Sequence, residues 1–513
     1  MHLVNLLEQS ARKYAWRRCF TYSNGHLRFR SLNNKVSQLA LGLKEKLGIK
    51  KNDKVAILLN NCPEFIQAFF AILKAGAVCV PINVFLAFEE ISYIIKDSQV
   101  KLLISSAEFR PVLEKIAQAK SQGLDDFAGL ENIVLTDKQI HPFLYWPQIL
   151  CRGERGNLFP ALTPGDLAAL IYTSGTTGFP KGVMLSHRNL YANVRSCSWA
   201  LRILKRDKFL LILPMFHTFS LTVCVLLPIY AGAQIIIVKS LRPFQKVLRA
   251  VLFNGVTVIV GIPHLYDILK NVKIPPLLKM LLRVRVCISG AAPLSLQTLS
   301  QFKNRFKKLA LLEGYGLTEA SPVVSINPLE GEQKPGSIGL PIPEVEAKVV
   351  RNDETEAGVG EIGELIVRGP NVMQGYLNHP EETKNAIKGG WLFTGDMAKI
   401  DSQGYIYIAG RKKEMILSHG MNVYPIEIEN VLLSHTKIKE AAVAAKQDNS
   451  RGEIPVAFIV LHSGFQASET EIINYCRQRL ANYKVPRLIE FKEQLPKTPT
   501  GKVLKRKLLE NYN

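Results

Sequence analysis

A run of small hydroxyl residues and glycines that ends in a lysine is the part of this sequence best suited to bind a charged ligand. Residues 172–182 read Tyr-Thr-Ser-Gly-Thr-Thr-Gly-Phe-Pro-Lys-Gly. Glycine lets the backbone approach a ligand closely, hydroxyl and amide groups donate hydrogen bonds to oxygens, and lysine adds a mobile positive charge. This combination favours a polyphosphate ligand. The residues that we expect to contact it are Thr173, Ser174, Gly175, Thr176, Thr177, Gly178 and Lys181.

This run could also be a flexible surface loop or a Walker P-loop. Its composition is equally typical of a flexible surface loop. A Walker P-loop is excluded, because that motif needs Gly-Lys-Ser/Thr and here Phe179-Pro180 precedes Lys181 while Gly182 follows it. The apolar segment Leu167–Tyr172 predicts a strand that leads into the run. The run would then lie at the C-terminal end of a strand, where α/β sheets usually bind ligands.

The elements that must position this loop follow from an alternation of apolar runs and helical patterns. Val55–Leu59 predicts a strand, Pro63–Gly76 a helix closed by glycine, and Val78–Ile82 a second strand. Apolar strands that alternate with helices are typical of parallel sheets covered by helices on both faces. The same alternation predicts a helix at Phe88–Ser98 and strands at Val100–Ser105, Phe209–Leu213, Gln234–Val238, Val256–Val260, Val284–Ser289 and Leu309–Leu312.

The pattern changes in the last third of the chain. From about residue 335 short strands are punctuated by glycine, which indicates antiparallel β structure or a small barrel. After Arg411-Lys412-Lys413 a compact α+β tail follows. We therefore predict an α/β protein. Its large N-terminal domain, residues 1–410, would contain doubly wound sheets plus a small β-barrel-like part, and residues 411–513 would form a small α+β C-terminal domain.

The charge and the cysteines of the sequence indicate which partners, metal sites and cellular location to expect. The net charge of +22 is spread along the chain without a long basic run, so we expect anionic ligands, an acidic partner or an anionic membrane surface rather than nucleic acid. The 8 cysteines include no CxxC pair, which argues against a cysteine metal site and against disulfides. Met1–Lys13 lacks an apolar signal core, so we expect a cytoplasmic protein.

One long uncharged segment resembles a membrane span by length alone. Residues 209–238 contain no Asp, Glu, Lys or Arg. Pro214, Pro228 and Gly232 interrupt the segment, however, and lysines flank it on both sides. It is better interpreted as a strand, a helix and a strand inside a core.

Further short motifs follow the lysine loop in order along the chain. Each has an ordinary structural explanation when taken singly: His217 is typical of a satisfied core histidine, Glu319 of a solvated acid and Lys502 of a solvated lysine. Ser289–Pro293 is equally typical of a strand-to-helix turn. The motifs are Leu213-Pro-Met-Phe-His217, Ser289-Gly-Ala-Ala-Pro293, Glu313-Gly-Tyr-Gly-Leu-Thr-Glu319, Thr394-Gly-Asp396, Gly410-Arg-Lys-Lys413, Gly420-Met-Asn-Val-Tyr-Pro-Ile-Glu-Ile-Glu429 and Pro499-Thr-Gly-Lys502.

Taken together and in this order, the motifs resemble those of the adenylate-forming superfamily. That superfamily comprises acyl-CoA synthetases, luciferases and the adenylation domains of peptide synthetases. The resemblance spans roughly residues 10 to 510 and is closest to bacterial-type long-chain fatty acid–CoA ligases. It implies an acid–thiol ligase that uses ATP and Mg²⁺ to convert a fatty acid to acyl-AMP and then transfers the acyl group to CoA.

The resemblance also implies roles for individual residues. Tyr315 would stack on adenine, Thr318 would bind the α-phosphate and Glu319 would hold Mg²⁺. Asp396 would accept hydrogen bonds from the ribose hydroxyls, with Arg411 adding a ribose or phosphate contact. The remaining residues that it implies are Gly290, Ala291, Ala292 and Gly316 beside the nucleotide and His217 beside the acyl group.

Three C-terminal residues complete what the resemblance implies. Lys413 would be the hinge of a mobile small domain. Gly420 would line the tunnel through which the pantetheine of CoA enters. Lys502 would be catalytic, pairing with the substrate carboxylate and the α-phosphate during adenylation.

Several alternatives stay open at this point. The acceptor could be an acyl carrier protein instead of CoA, because a basic C-terminal surface also suits an acidic carrier. A luciferase-like oxygenase and a non-catalytic acyl- or nucleotide-binding protein are further alternatives. Peripheral contact with an anionic membrane would fit both the positive charge and a lipid substrate.

Overall fold

The chain folds into alternating strands and helices along most of its length. The computed structural model describes residues 1–23, 25–123, 125–151, 159–173, 180–241, 243–272, 275, 280–418, 421–448, 452–497 and 503–510. The strands, in chain order, are β1 (Arg18–Tyr22), β2 (Gly25–Arg28), β3 (Lys54–Leu58), β4 (Val78–Pro81), β5 (Val100–Ser105), β6 (Asn132–Leu135), β7 (Leu144–Tyr145), β8 (Leu167–Thr173), β9 (Lys181–Ser186), β10 (Lys208–Leu211), β11 (Gln234–Ile237), β12 (Val258–Gly261), β13 (Val286–Ser289), β14 (Ala310–Gly316), β15 (Val323–Ile326), β16 (Leu340–Pro341), β17 (Glu346–Val350), β18 (Gly363–Arg368), β19 (Gly375–Tyr376), β20 (Ile387–Lys388), β21 (Trp391–Ile400), β22 (Ile406–Arg411), β23 (Ile416–Ser418), β24 (Met421–Val423), β25 (Ile438–Asp448), β26 (Gly452–Leu461) and β27 (Leu488–Phe491).

Helices connect most of these strands. The helices, in chain order, are α1 (Leu3–Lys13), α2 (Phe29–Glu45), α3 (Pro63–Lys74), α4 (Phe88–Asp97), α5 (Arg110–Ser121), α6 (Trp146–Ile149), α7 (His187–Ala200), α8 (Thr218–Ser220), α9 (Leu227–Ala231), α10 (Phe244–Phe253), α11 (Pro263–Leu269), α12 (Leu296–Arg305), α13 (Pro380–Ala386), α14 (Pro425–Leu433), α15 (Glu469–Arg477) and α16 (Lys505–Leu508), and a π-helical segment, Leu221–Leu226, joins α8 to α9.

Two large mixed sheets form the body of the molecule. Within the described ranges, one has the order β16-β15-β14-β13-β12-β10-β11-β1-β2 and the other β19-β9-β8-β4-β3-β5-β6-β7. The strands from β14 to β1 in the first sheet and from β8 to β7 in the second are parallel to one another, and the remaining strands of both sheets pair antiparallel. The predicted α/β class with apolar parallel strands is thereby confirmed.

Helix α3 shows why the sequence packs in this way. Pro63 occupies its first turn, where the missing N–H costs nothing, and Gly76 adopts a φ of +83° just after its end. Every residue from Phe65 to Leu73 is buried. A helix that is apolar on all faces must be covered on all faces, and α3 accordingly lies within the main hydrophobic core.

The uncharged segment from 209 to 238 lies in the core, as the sequence predicted. Strands β10 and β11 enclose α8, the π-helical segment and α9. Val223, Val225, Leu226 and Leu227 in its middle are at most 2% exposed. Among the described helices, none has the length and apolar character that crossing a bilayer would require.

Two smaller sheets follow. β17, β18, β21, β20 and β22 form an antiparallel sheet, which confirms the antiparallel pattern expected after residue 335. β24, β23, β26, β25 and β27 form a separate sheet in the C-terminal part. The change from one sheet to the next lies between Arg411 and Ile416.

Candidate active site

The predicted residues converge on one large cleft. It encloses about 1020 Å³ and is bordered by the ends of β8, β13 and β14 together with the segment after β22. Ala292 and Asp396 do not border the cleft directly, and Ser174, Gly175, Thr176, Thr177, Gly178, Gly420 and Lys502 lie outside the described residues. The predicted residues that border the cleft are Thr173, Lys181, His217, Gly290, Ala291, Tyr315, Gly316, Thr318, Glu319, Arg411 and Lys413.

Strand pairing positions both ends of the lysine loop. β8 ends at Thr173 and β9 begins at Lys181, and these two residues are paired across an antiparallel ladder. The loop therefore connects two paired strands of the second sheet. The Lys181 side chain is only 14% exposed, so its charge is held near the cleft rather than in bulk solvent.

Lys181 lies in a short chain of polar contacts. Its Nζ is 3.2 Å from Glu382 Oε1 and 5.8 Å from the centre of the Tyr376 ring. The Tyr376 hydroxyl donates a 3.0 Å hydrogen bond to Glu319 Oε1. A hydrogen bond from the backbone N–H of Glu382 itself, and next the contact with Lys181, lower the pKa of Glu382. Burial, followed by the charge of Glu319, raises the pKa of Tyr376, which keeps its hydroxyl protonated as a donor.

A second cluster surrounds Asp396. This carboxylate is 3% exposed, accepts a hydrogen bond from the Tyr315 hydroxyl at Oδ2, and forms an ion pair with Arg411, whose Nε lies 2.8 Å from Oδ1. Asp396 in β21 and Arg411 in β22 are paired residues of the antiparallel ladder, so the backbone fixes their separation. Both oxygens of Asp396 thus have partners within the protein, and it is Tyr315 and Arg411 that border the cleft directly.

Glu364 contacts the residues on either side of this cluster. Its Oε1 accepts a 3.1 Å hydrogen bond from the backbone N–H of Gly395, and its Oε2 lies 2.6 Å from Lys412 Nζ. These contacts hold the part of β21 that precedes Asp396 against Lys412, the residue that follows Arg411. No motif in the sequence indicated Glu364, because its contacts form only when β18 and β21 pair.

The β14 motif lies on a strand instead of a loop. We predicted a strand that ends at Leu312, but β14 continues to Gly316, because its last residues pair with β15. A Cβ atom at Gly316 would lie 2.1 Å from the carbonyl oxygen of Pro322, so only glycine allows this approach. The extension carries Tyr315 into the cleft and places Thr318 and Glu319 in the turn beyond it.

His217 has a structural partner as well as a position at the cleft. Its Nδ1 accepts a 3.2 Å hydrogen bond from the backbone N–H of Phe219 and so caps the first turn of α8. Burial lowers the pKa of His217 to about 4, so the ring is neutral at pH 7. Thr218 donates a 3.2 Å hydrogen bond to Thr318, which links this turn to the β14 motif.

Small residues at the end of β13 leave room for a flat group. A Cβ atom at Gly290 would approach the Phe219 ring to 3.0 Å, and Ala291 has a φ of +67°. The hydroxyl of Ser289 is buried beside the cleft and has no hydrogen-bond partner among the described residues. It is therefore a candidate partner for a polar atom of a bound ring.

One end of the cleft is apolar. Its lining comes from the C-terminal part of α7, the π-helical segment and β15, and such a surface fits a hydrocarbon chain better than a polar group. Beyond Ala200 the wall of the cleft faces a surface depression that Trp199 and Leu204 border. The apolar residues at this end are Cys197, Ala200, Leu201, Val223, Val323 and Ile326.

A magnesium ion bound together with phosphates fits the carboxylate that the sequence indicated. Among the described residues no group of three or more His, Cys, Asp or Glu side chains could enclose a metal ion. Mg²⁺ commonly takes one or two carboxylates and completes its shell with phosphate oxygens and water. Glu319 borders the cleft and is oriented by Tyr376, so this single carboxylate satisfies the requirement.

Sequence reasoning missed several residues of this site. Tyr376, Glu382 and Glu364 all border the cleft. Tyr376 lies in β19, a two-residue strand, and Glu382 lies in α13, so neither belongs to a recognisable chemical pattern. The only available signal was a tyrosine and two acids between two predicted motifs, which is too common to be diagnostic.

Two families of known proteins match most of this chain. The family described as AMP-binding enzyme matches residues 7–377, and the family described as AMP-binding enzyme C-terminal domain matches residues 427–502. The long-chain-fatty-acid–CoA ligase of Bacillus subtilis is 37% identical, covering 99% of this chain and 94% of that protein. The enzyme of the same name from Escherichia coli O157:H7 is 35% identical with the same coverage.

Solved structures agree with these matches. ATP-bound MatB from Rhodopseudomonas palustris has a TM-score of 0.89 at 29% identity, covering 100% of this chain and 99% of that one. The AMP complex of o-succinylbenzoate–CoA synthetase (MenE) from Bacillus subtilis has a TM-score of 0.84 at 28% identity, covering 98% of both chains. Both the sequence and the fold lead to the same assignment: the chain belongs to the family of AMP-binding enzymes.

Proposed function

We propose that the protein is a fatty acid–CoA ligase that forms AMP and pyrophosphate. The observation that carries this proposal is the composition of the cleft. One region holds Lys181 and Glu319, a second holds Tyr315 and Arg411, and the far end is apolar. These regions match a polyphosphate, a nucleoside and an acyl chain, and the relatives at about 35% identity bear the corresponding name.

In the first half-reaction the fatty acid carboxylate attacks the α-phosphorus of ATP. A new carboxyl O–P bond forms, the bond between the α-phosphorus and the bridging oxygen breaks, and pyrophosphate leaves with the electron pair. Lys181 neutralises the phosphates, Thr318 donates to the α-phosphate, and Lys502 pairs with the reacting oxygens. Catalysis is then mostly positioning and charge neutralisation.

Nucleoside recognition would fall to Tyr315, Asp396 and Arg411. The Tyr315 ring offers a stacking surface for adenine, with Gly290, Ala291 and Gly316 leaving space for the ring. Asp396 accepts from the ribose hydroxyls while Arg411 keeps its carboxylate oriented. His217 is neutral beside the acyl end, so it does not add a charge next to the hydrocarbon.

Glu319 is the residue that would hold Mg²⁺. When bound, the ion supplies charge neutralisation to the phosphate oxygens. The hydrogen bond from Tyr376 fixes one oxygen of this carboxylate and so restricts its orientation.

In the second half-reaction a thiol attacks the acyl carbonyl and AMP leaves. We propose that the C-terminal domain, residues 411–513, rotates about Lys413 between the two steps. The rotation would withdraw Lys502 and bring the segment of Gly420 to the cleft. This is the general use of a hinge to separate two reactions at one site.

The experiment that tests this function measures pyrophosphate release with ATP, Mg²⁺ and palmitate. Three acceptor conditions are compared: CoA, holo-acyl carrier protein and neither. Sustained turnover only with CoA supports the proposal, whereas turnover only with the carrier protein assigns the enzyme to acyl–acyl carrier protein synthetases. Absence of turnover with all acceptors contradicts fatty acid activation.

Contact with an anionic membrane is a second part of the proposal. Trp199 is 77% exposed and Leu204 is 43% exposed, and the exposed cations Lys205 and Arg206 follow directly. Aromatic and apolar side chains beside basic ones suit the surface of anionic bilayers. The protein should co-sediment with phosphatidylglycerol vesicles more than with phosphatidylcholine vesicles, and equal sedimentation with both would contradict this contact.

A further inference from the structure

The phosphate-binding lysine of the cleft already has an anionic partner within the protein. Lys181 Nζ lies 3.2 Å from Glu382 Oε1, and both side chains border the same cleft as Glu319. Lys181 is 14% exposed and Glu382 is 40% exposed. The lysine is therefore recessed, while the carboxylate is the more exposed member of the pair.

The Glu382 carboxylate has a second polar neighbour besides Lys181. His379 Nδ1 lies 3.3 Å from the same oxygen, Oε1, one turn earlier on the chain. If phosphates engage Lys181, the carboxylate can stay beside His379 instead of losing all its partners. Glu382 would therefore keep a polar neighbour on leaving the lysine.

Lys181 also has a second partner besides Glu382, the ring of Tyr376. The Tyr376 ring lies under Lys181, 5.8 Å from Nζ, and the hydroxyl of the same ring is held by Glu319. A cation over an aromatic face is stabilised by the ring's electrons. Tyr376 thus keeps the ammonium group in the cleft whether or not Glu382 contacts it.

We propose that Glu382 is a positioning residue that binds Lys181 in competition with the phosphates of the nucleotide. This inference rests on the proposed function, since it takes Lys181 to be the phosphate-binding lysine. The competition lowers the affinity for ATP, because an ion pair must break before Lys181 binds the phosphates. It also speeds the departure of pyrophosphate, because Glu382 can replace the leaving anion at Lys181.

The test measures binding without turnover. Binding of ATP and of inorganic pyrophosphate is followed by titration calorimetry in EDTA, with no fatty acid or CoA. Glu382→Gln keeps the size of the side chain and removes its charge. Since partly exposed ion pairs contribute little, we expect its Kd for both anions to fall only about two- to fivefold.

A matched control lies next to Glu382 on the same helix. Glu381 is 74% exposed, pairs with Lys384 and does not border the cleft. Glu381→Gln removes the same charge from the protein, so it should leave both dissociation constants unchanged. Thermal unfolding of both variants should match that of the wild type, because neither side chain is buried.

A second comparison separates competition for Lys181 from general repulsion of phosphate. In a Lys181→Met background the added Glu382→Gln change should no longer tighten binding. If it still tightens binding to the same extent, Glu382 acts only by repulsion and the inference is wrong. It is equally wrong if Glu382→Gln weakens binding in the wild-type background. A wild type that binds neither anion in EDTA would overturn this inference, and only a wild type that also fails to bind ATP with Mg²⁺ would overturn the proposed function.

Discussion

The buried carboxyl group of Glu313 gives a quantitative prediction about stability. Glu313 lies in β14 just before the residues that enter the cleft, is 9% exposed and accepts a 2.9 Å hydrogen bond from the backbone N–H of Leu294. Burial raises the pKa of Glu313 to about 7 from the usual 4.5. The folded protein therefore binds a proton at this site more tightly than the unfolded chain does.

The sign of the pH dependence follows from that difference. Between the unfolded pKa and the folded pKa the folded state holds more protons, so stability falls as the pH rises through this range and is constant above it. Between about pH 5 and about pH 8 the wild type should lose about 2.5 kcal/mol of its free energy of unfolding from Glu313 alone. Glu313→Gln cannot ionise and keeps an acceptor for Leu294, so this loss should disappear.

The assay is denaturant unfolding followed by tryptophan fluorescence at both pH values. At each pH the free energy of unfolding of the wild type is subtracted from that of the variant, and the value at pH 5 is then subtracted from the value at pH 8. Any pH-independent effect of the amide on stability cancels in this double difference. Glu493→Gln, at an exposed position, is the control and should leave this quantity near zero. If the quantity for Glu313→Gln is below about 0.5 kcal/mol, burial does not raise the pKa as argued.

Three further predictions concern the cleft. Asp396→Asn should raise the KM for ATP about tenfold or more, measured by steady-state kinetics, because hydrogen bonds to a charged acceptor are lost; an unchanged KM would contradict ribose binding there. Ala200→Phe should shorten the apolar end, lowering kcat/KM for palmitate about tenfold while that for hexanoate stays within about twofold; equal losses for both acids would indicate general damage. Lys502→Ala should slow acyl-AMP formation about a hundredfold in single-turnover experiments and leave the calorimetric Kd for ATP within about threefold; loss of ATP binding would instead make Lys502 a binding residue.

Much of the fold could be predicted because it depends on local pattern. Apolar runs and helical periodicity located β3, α3, β4 and α4 to within one or two residues. Strand β14 was the exception, since its length depends on pairing with β15, which lies further along the chain. Long-range pairing of this kind leaves no local signal.

Some residues of the candidate site could likewise be predicted from local motifs, and others could not. Lys181, Tyr315 and Asp396 were predictable because each belongs to a short motif in a fixed order. Tyr376 and Glu382 were not, because they act through tertiary contacts with Glu319 and Lys181. The sequence also gave no sign that Asp396 would be buried against the Tyr315 hydroxyl.

The central claim is that a carboxylate oxygen of the fatty acid bonds to the α-phosphorus of ATP. The most direct measurement uses palmitate labelled with ¹⁸O in both carboxylate oxygens, incubated with the protein, ATP, Mg²⁺ and CoA and analysed by mass spectrometry. The attacking oxygen stays on phosphorus when the thiol displaces AMP, so we predict AMP that carries one ¹⁸O atom and unlabelled pyrophosphate. Label in pyrophosphate or inorganic phosphate, or unlabelled AMP formed alongside palmitoyl-CoA, would contradict the acyl-adenylate mechanism.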